Sequence, residues 1–115
     1  MDLVVESYKV AKVLPKTETY GLASQIQRAA VSIPANIAEG HGRDHLGDYL
    51  HHLSMANGSL MELETHLLIT NRLGYLQEDH LAPVFNLTAE VGRMPAALRR
   101  SLKKSLRPKS PNIDT

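Results

Sequence analysis

The chain has 115 residues, of which 43% are apolar, and a formal net charge of +1. This length suits one domain with enough apolar residues for a core. The sequence contains no cysteine, which excludes disulfides and thiolate zinc sites and fits a reducing, cytoplasmic location. No apolar run approaches the roughly 20 residues of a membrane-spanning helix, so we expect no membrane partner.

Apolar residues recur at helical spacing almost throughout, which predicts helices and no strands. A first helix is predicted over residues 2–14, ended by Pro15. Its apolar side is predicted to contain Val4, Tyr8 and Ala11, with either Leu14 or Val5. A second helix is predicted over residues 19–39. Its buried stripe consists of Leu22, Ile26, Ala29, Ala30, Ile33 and Ile37.

Pro34 lies inside the second predicted helix. It has no N–H, so the carbonyl of Ala30 loses its helix partner and the helix should bend there. The far side of this helix carries small, weakly apolar residues where an ordinary surface helix has lysine and glutamate. This pattern predicts a subunit contact through Val31, Pro34, Ala35 and Ala38. The alternative is that the alanines are ordinary surface residues that favour helix formation.

A polar stripe borders this predicted contact. We expect Asn36 to bond to backbone groups that the bend releases. Glu39 lies near a helix C-terminus, where a carboxylate is disfavoured, so it should pair with Arg43 or Arg93. The stripe consists of Gln25, Arg28, Ser32, Asn36 and Glu39.

The third predicted helix covers residues 44–73. Gly40 and Gly42 are expected to end the preceding helix in the left-handed conformation, Asp44 to cap the third helix, and Gly74 to close it. The apolar seam spans four heptads, as in a coiled coil. Its members are Leu46, Tyr49, Leu53, Ala56, Leu60, Leu63, Leu67 and Thr70, and Leu50, Met61 and Leu68 widen the apolar arc.

A fourth helix is predicted over residues 77–106, with Pro83 near its start and a kink or early end at Pro95. Its stripe consists of Val84, Leu87, Val91, Met94, Leu98 and Leu102. Residues 107–115 are predicted to be a disordered basic tail. Four helices with short connections predict an all-α fold, an antiparallel up-and-down four-helix bundle over residues 1–106.

The charge is distributed unevenly along the chain. From Arg93 onward there are seven bases and one acid, a net charge of +6, whereas the first 92 residues carry −5. One interpretation is a solvated helix end whose cations suit the negative dipole terminus. The other is sequence-tolerant RNA or DNA binding through phosphate contacts. The residues predicted to bind are Arg99, Arg100, Lys103, Lys104 and Arg107.

Catalytic and metal-binding patterns are weak. The serines lack a nucleophile-elbow context and no glycine-rich phosphate loop is present, so we expect no enzyme and no cofactor. His41 and His45 are four residues apart, and His45 and His52 are seven apart with Asp48 between them. This spacing leaves open an alternative in which the bundle holds a metal or a small ligand, although we predict no metal site.

Three segments together resemble one bacterial family. They are residues 20–43, 60–76 and 90–94, and the most specific stretches are "RAAVSIP" from Arg28 and "NIAEG" from Asn36. The chain resembles the four-helix-bundle proteins named for the 23S rRNA intervening sequence. Members of that family have further N-terminal residues, so the resemblance implies that Met1 is an internal methionine of a longer first helix.

The resemblance implies an assembly and no established activity. It implies a homo-oligomer, since rings and pentamers are known in the family, and no catalytic role. A related group serves as accessory proteins of diversity-generating retroelements, in which a pentameric bundle with a basic surface binds nucleic acid and a reverse transcriptase. The resemblance therefore makes a nucleic-acid partner an expectation for the basic end of this chain.

Overall fold

A computed structural model describes the helical course of residues 2–106 and the side-chain surroundings of residues 2–93. It contains four α-helices and one short 3₁₀ segment at Lys16–Glu18. The α-helices are α1 (Asp2–Val13), α2 (Leu22–His41), α3 (Leu46–Arg72) and α4 (Glu78–Leu106). The described residues contain no strand, so the predicted all-α class is confirmed.

The four helices form a bundle in which each packs on two neighbours. α1 contacts α2 and α4, α3 contacts the same two helices, and the α2–α3 contact is the most extensive. Ser32 of α2 meets Ser59 of α3, and Asn36, one turn further along α2, meets His52, which lies earlier in α3. α2 and α3 therefore run in opposite directions. The up-and-down order of the whole bundle remains a prediction.

In α2 and α3 the core lies where the helical and heptad stripes predict it. All members of the α2 stripe are buried except Ile37, which packs partly exposed against the core. In α3, the seam from Leu53 to Thr70 is buried, and Leu46 and Tyr49 at its start are half-buried. On α4, Val84 of the predicted stripe is buried and Leu87 and Val91 pack half-buried against the core. Leu81 and Thr88, which the predicted stripe did not include, are also buried.

The prediction for α1 was right for Ala11 and Leu14, which are buried, and wrong for the rest of the side. Tyr8 and Val5 are exposed and Val4 is half-buried, whereas Leu3 and Ser7 face the core. This helix has two stripes of apolar residues at helical spacing. The buried stripe includes Ser7, so the sequence does not show it as continuously apolar. The buried residues of this segment are Leu3, Ser7, Val10, Ala11 and Leu14.

Two of the predicted helix ends differ from the structure. α3 begins after His45, whose side chain makes no capping bond, and Asp44 does not cap the helix. Gly40 is buried inside α2, and Gly42 has a φ of −83°, so neither takes the left-handed conformation. Leu22 N–H at the start of α2 instead donates to Glu18 Oε1 at 3.1 Å, a contact the sequence did not predict.

The predicted end of α3 is confirmed. Gly74 has a φ of +79° and is the one residue of the described chain with a positive φ. Its N–H donates to the carbonyl of Asn71, and the N–H of Tyr75 donates to the carbonyl of Thr70. These two bonds form a Schellman motif, which satisfies carbonyls that the end of the helix would leave unpaired.

Tyr75 connects the α3–α4 turn to the segment before α2. Its hydroxyl donates to Glu18 Oε2 at 2.8 Å. This hydrogen bond, assisted by burial and by the carboxylate charge, raises the pKa of Tyr75 above its ordinary value of 10.0. Because the folded-state pKa exceeds the unfolded one, the contact contributes fully below the unfolded pKa and is lost as pH rises through the folded pKa.

We therefore expect an alkaline titration to show a raised Tyr75 midpoint. The difference in tyrosinate absorbance between the native chain and Tyr75→Phe gives the Tyr75 curve, whose midpoint should lie above 10.0. The same difference measured in a Glu18→Gln background should move to lower pH, because glutamine still accepts from Leu22 but carries no charge. Equal midpoints in the two backgrounds would contradict the assignment.

Candidate subunit and nucleic-acid interfaces

The predicted subunit contact lies on the outer side of α2. Val31 is 42% exposed, Ala35 and Ala38 are exposed, and Pro34 is half-buried. α2 continues through Pro34 to His41, so the proline does not end the helix. These four positions recur every three or four residues, so the structure brings them together on one side of α2.

A polar cluster lies on the side of α2 that faces α3. Asn36 Nδ2 donates to the carbonyl of Ser32 at 2.8 Å and to Ser32 Oγ at 3.0 Å. Ser32 Oγ lies 2.7 Å from Ser59 Oγ, and His52 Nδ1 lies 3.4 Å from Asn36 Oδ1. Since an amide oxygen only accepts, the His52 nitrogen is the donor in this pair. The cluster therefore links α2 to α3 at two successive turns.

This arrangement corrects the predicted role of Asn36. The side chain does bond to a backbone carbonyl of its own helix, but that carbonyl belongs to Ser32 and not to Ala30, the group that Pro34 deprives of a partner. Asn36 is four residues from Ser32 and six from Ala30, and residues four apart are neighbours on a helix. The sequence pattern did not reveal Ser59 and His52 as its partners, because they lie on another helix.

Glu39 takes the first of its two predicted partners. Arg43 Nη2 lies 2.6 Å from Glu39 Oε1, and both side chains are largely exposed to solvent. An exposed pair four residues apart contributes only about 0.3–0.5 kcal/mol. The pair therefore orients the α2–α3 turn more than it stabilises the bundle.

Gly40 allows the close approach of α2 to α3. A Cβ at this position would lie 3.0 Å from His52 Cβ and 3.0 Å from Tyr49 Cδ1. Both distances are shorter than ordinary contacts between carbon atoms, which are about 3.5–4.0 Å. The motif from Ser32 to Gly40 thus combines a polar cluster with a glycine contact on one side of α2 and an exposed apolar surface on the other.

The histidines do not gather into a metal centre in the described part of the chain, which contains no group of three potential ligands. His41 instead packs against Tyr49, with ring centroids 5.1 Å apart. His41 ends α2 and His45 precedes α3, so the two do not share one helix as the spacing suggested. The metal-binding alternative gains no support from these positions.

The predicted nucleic-acid residues lie beyond the described side chains. Arg99, Arg100, Lys103 and Lys104 fall within the span of α4, but their side-chain positions lie outside the described residues. Arg107 lies outside the described chain, as does the predicted tail over residues 107–115. Among the described helices, none combines the length and apolar character that crossing a membrane requires.

The structure is an all-α protein with four helices, and comparison with known families identifies the family to which it belongs. The family model for the 23S rRNA-intervening sequence protein matches residues 1–97. The chain therefore belongs to this family, as the resemblance predicted. The match ends before Arg99, so the predicted nucleic-acid residues follow it.

A solved structure from Bacteroides thetaiotaomicron has a similar fold. It is described as a protein of unknown function from the S23 ribosomal protein family. The TM-score is 0.79 and 22% of aligned residues are identical, with 85% of this chain and 92% of that chain covered. At this identity the likeness supports the fold alone. A search of curated proteins gave no match.

The Gly40 contact makes a prediction about stability. Alanine favours helix over glycine by about 1 kcal/mol, but overpacking a close contact costs roughly 1–3 kcal/mol. We therefore expect Gly40→Ala to lower the free energy of unfolding by about 1 kcal/mol in urea denaturation at fixed protein concentration. Gly58→Ala is the matched control, since a Cβ there meets nothing within 4 Å.

In the control there is no close contact, and only the higher helix propensity of alanine matters. Gly58→Ala should therefore raise the free energy of unfolding by about 0.5–1 kcal/mol. If both variants are stabilised equally, α2 and α3 are not in tight contact at Gly40.

Proposed function

We propose that the chain is a non-enzymatic subunit of a cytoplasmic homo-oligomer, with a basic end that binds RNA or DNA without sequence preference. The observation that supports self-association is the exposed apolar side of α2, where Val31, Ala35 and Ala38 lie on the surface of a single copy. Contiguous exposed apolar surface is typical of protein contacts. The family resemblance suggests a pentamer.

The small size of these residues favours a helix as the partner. Alanine side chains let a neighbouring helix approach closely and add no rotamer entropy to the cost of binding. The same helix is held from its inner side by the Ser32–Asn36–His52–Ser59 cluster. A surface that is fixed before binding loses less entropy on association, which favours assembly.

The basic end supports the nucleic-acid part of the proposal. α4 extends to Leu106, so positions 99 and 103, and positions 100 and 104, are each one turn apart on the same helix. Each base that meets a phosphate releases counterions. Assembly would multiply this charge on one particle, and several weak contacts then act together. The absence of aromatic residues among positions 93–109 argues against base stacking.

We expect Ala35→Arg and Ala38→Arg each to yield folded, helical monomers, because each buries an unpaired charge in the subunit contact. Sedimentation velocity with circular dichroism measures mass and helicity together. Ala89→Arg, at an exposed alanine of α4, is the control and should leave the oligomer intact. An unchanged oligomer in both α2 variants would place the interface elsewhere.

We expect labelled RNA and duplex DNA to bind at low salt, with affinity falling steeply toward physiological salt. A variant in which all five predicted bases are replaced by glutamine should lose most of this binding. A smaller comparison controls for the loss of charge alone. Arg99→Gln with Arg100→Gln is compared with Lys16→Gln and Arg72→Gln, which remove the same charge from the body of the bundle. Equal losses in the two double variants, or no binding at low salt, would contradict a site at the basic end.

A further inference from the structure

Two separate apolar surfaces lie on opposite helices of the bundle. We propose that they join copies of this chain head to tail, with a groove on α1 and α2 of one copy receiving a stripe on α3 of the next. This inference rests on the proposed homo-oligomer and specifies its contact. The groove, called here the α1 groove, is lined by Val4, Val5, Tyr8, Lys9, Lys12 and Gln27.

The α1 groove is open, mainly apolar and basic at its rim. Its volume is about 580 Å³. Val5 is 53% exposed and Tyr8 is 44% exposed, which is unusual for large apolar side chains that are three residues apart. Lys12 projects from the same helix and is exposed, whereas Lys9 lies 3.0 Å from Glu6 of its own helix. An occupant of this groove should therefore be apolar with an acidic group beside it.

The stripe on α3, called here the α3 stripe, has these properties. It consists of Met61, Glu64, Thr65 and Leu68, at the i, i+3, i+4 and i+7 positions by which a helix enters a groove. Met61 is 61% exposed and Leu68 is 56% exposed. Thr65 Oγ1 donates to the carbonyl of Met61 at 2.9 Å, so its hydroxyl already has an acceptor when the stripe is covered. Glu64 supplies the acidic group.

The dimensions of the two surfaces agree. Val5 to Lys12 spans seven residues of α1 and Met61 to Leu68 spans seven residues of α3, so each surface is about 10 Å long at 1.5 Å per residue. One charge pair is also complementary, since Lys12 at the rim carries the sign opposite to Glu64. The α1 groove continues the predicted α2 contact, because Gln27 precedes Val31 by one helical turn.

The other exposed apolar residues of α3 form a less continuous surface. Met55 and Ile69 are fourteen residues apart, and Glu62 stands midway between them at the same heptad position. Glu62 also lies 3.4 Å from His66 of its own helix. These residues therefore serve as a control surface.

The position of the two surfaces determines the kind of assembly. α1 and α3 lie on opposite corners of the bundle, since each packs on α2 and α4. A contact between two different surfaces is heterologous, and its repetition gives a ring where the rotation between copies closes and an open filament where it does not. A symmetric dimer built from one surface would leave the other surface exposed.

Complementing variants test this arrangement. The groove variant is Val5→Glu with Tyr8→Glu, which places acids against Glu64 of the next copy. The stripe variant is Met61→Lys with Leu68→Lys, which places bases against the rim lysines. All four positions are exposed, so both variants should fold, as circular dichroism checks. Ile69→Lys is the control and should assemble like the native chain.

We expect each variant alone to sediment as a monomer. An equimolar mixture should form species of at least twice the 12.7 kDa chain mass, because the intact groove of the stripe variant accepts the intact stripe of the groove variant. A mixture that stays monomeric, or a variant that still assembles alone, overturns the head-to-tail contact while the native oligomer remains. A native chain that is itself monomeric overturns the proposed oligomer as well.

Discussion

The close contact between α2 and α3 is the constraint on which the rest of the bundle depends. Gly40 lets the two helices approach closely. The Ser32–Asn36–His52–Ser59 cluster joins them one and two turns before Gly40 along α2. A backbone approach of this kind tolerates little sliding, because hydrogen bonds at two turns must form together. The buried seam of α3 then has one register against α2, and α1 and α4 pack on the pair.

This constraint explains why one side of α2 is polar and the other apolar. Ser32 and Asn36 are on the α3 side and have partners there, whereas Val31, Ala35 and Ala38 on the opposite side are exposed in a single copy. An isolated bundle would gain nothing from exposed valine and methionine on its surface. This division of α2 fits the proposed contact with a second copy, in which the inner side would hold the outer side in a fixed shape.

The sequence predicted the secondary-structure elements better than the contacts between them. The four helices, the α2 and α3 stripes and the Gly74 turn followed from periodicity and turn chemistry, which are local. The α1 face was missed because Ser7 interrupts its apolar stripe, and which of two stripes faces inward depends on the other helices. Gly40 was interpreted as a helix end because a glycine in a close helix contact and a glycine cap look alike in a sequence. Ser59 and His52 could not be assigned to Asn36, since their proximity is a property of the α2–α3 register.

The uneven charge of the chain fits the proposal that the acidic body assembles and the basic end binds nucleic acid. The acidic body carries both apolar surfaces, and the bases are concentrated from Arg93 onward. Like charges on neighbouring bodies would oppose assembly, but the proposed head-to-tail contact would bring Lys12 together with Glu64, so that contact would be locally attractive. Because Lys12 is exposed and Glu64 is half-buried in a single copy, salt would screen this attraction, which would guide orientation more than add affinity. Apolar burial would then supply most of the binding energy of the proposed contact, which fits the exposure of Met61 and Leu68 in the α3 stripe.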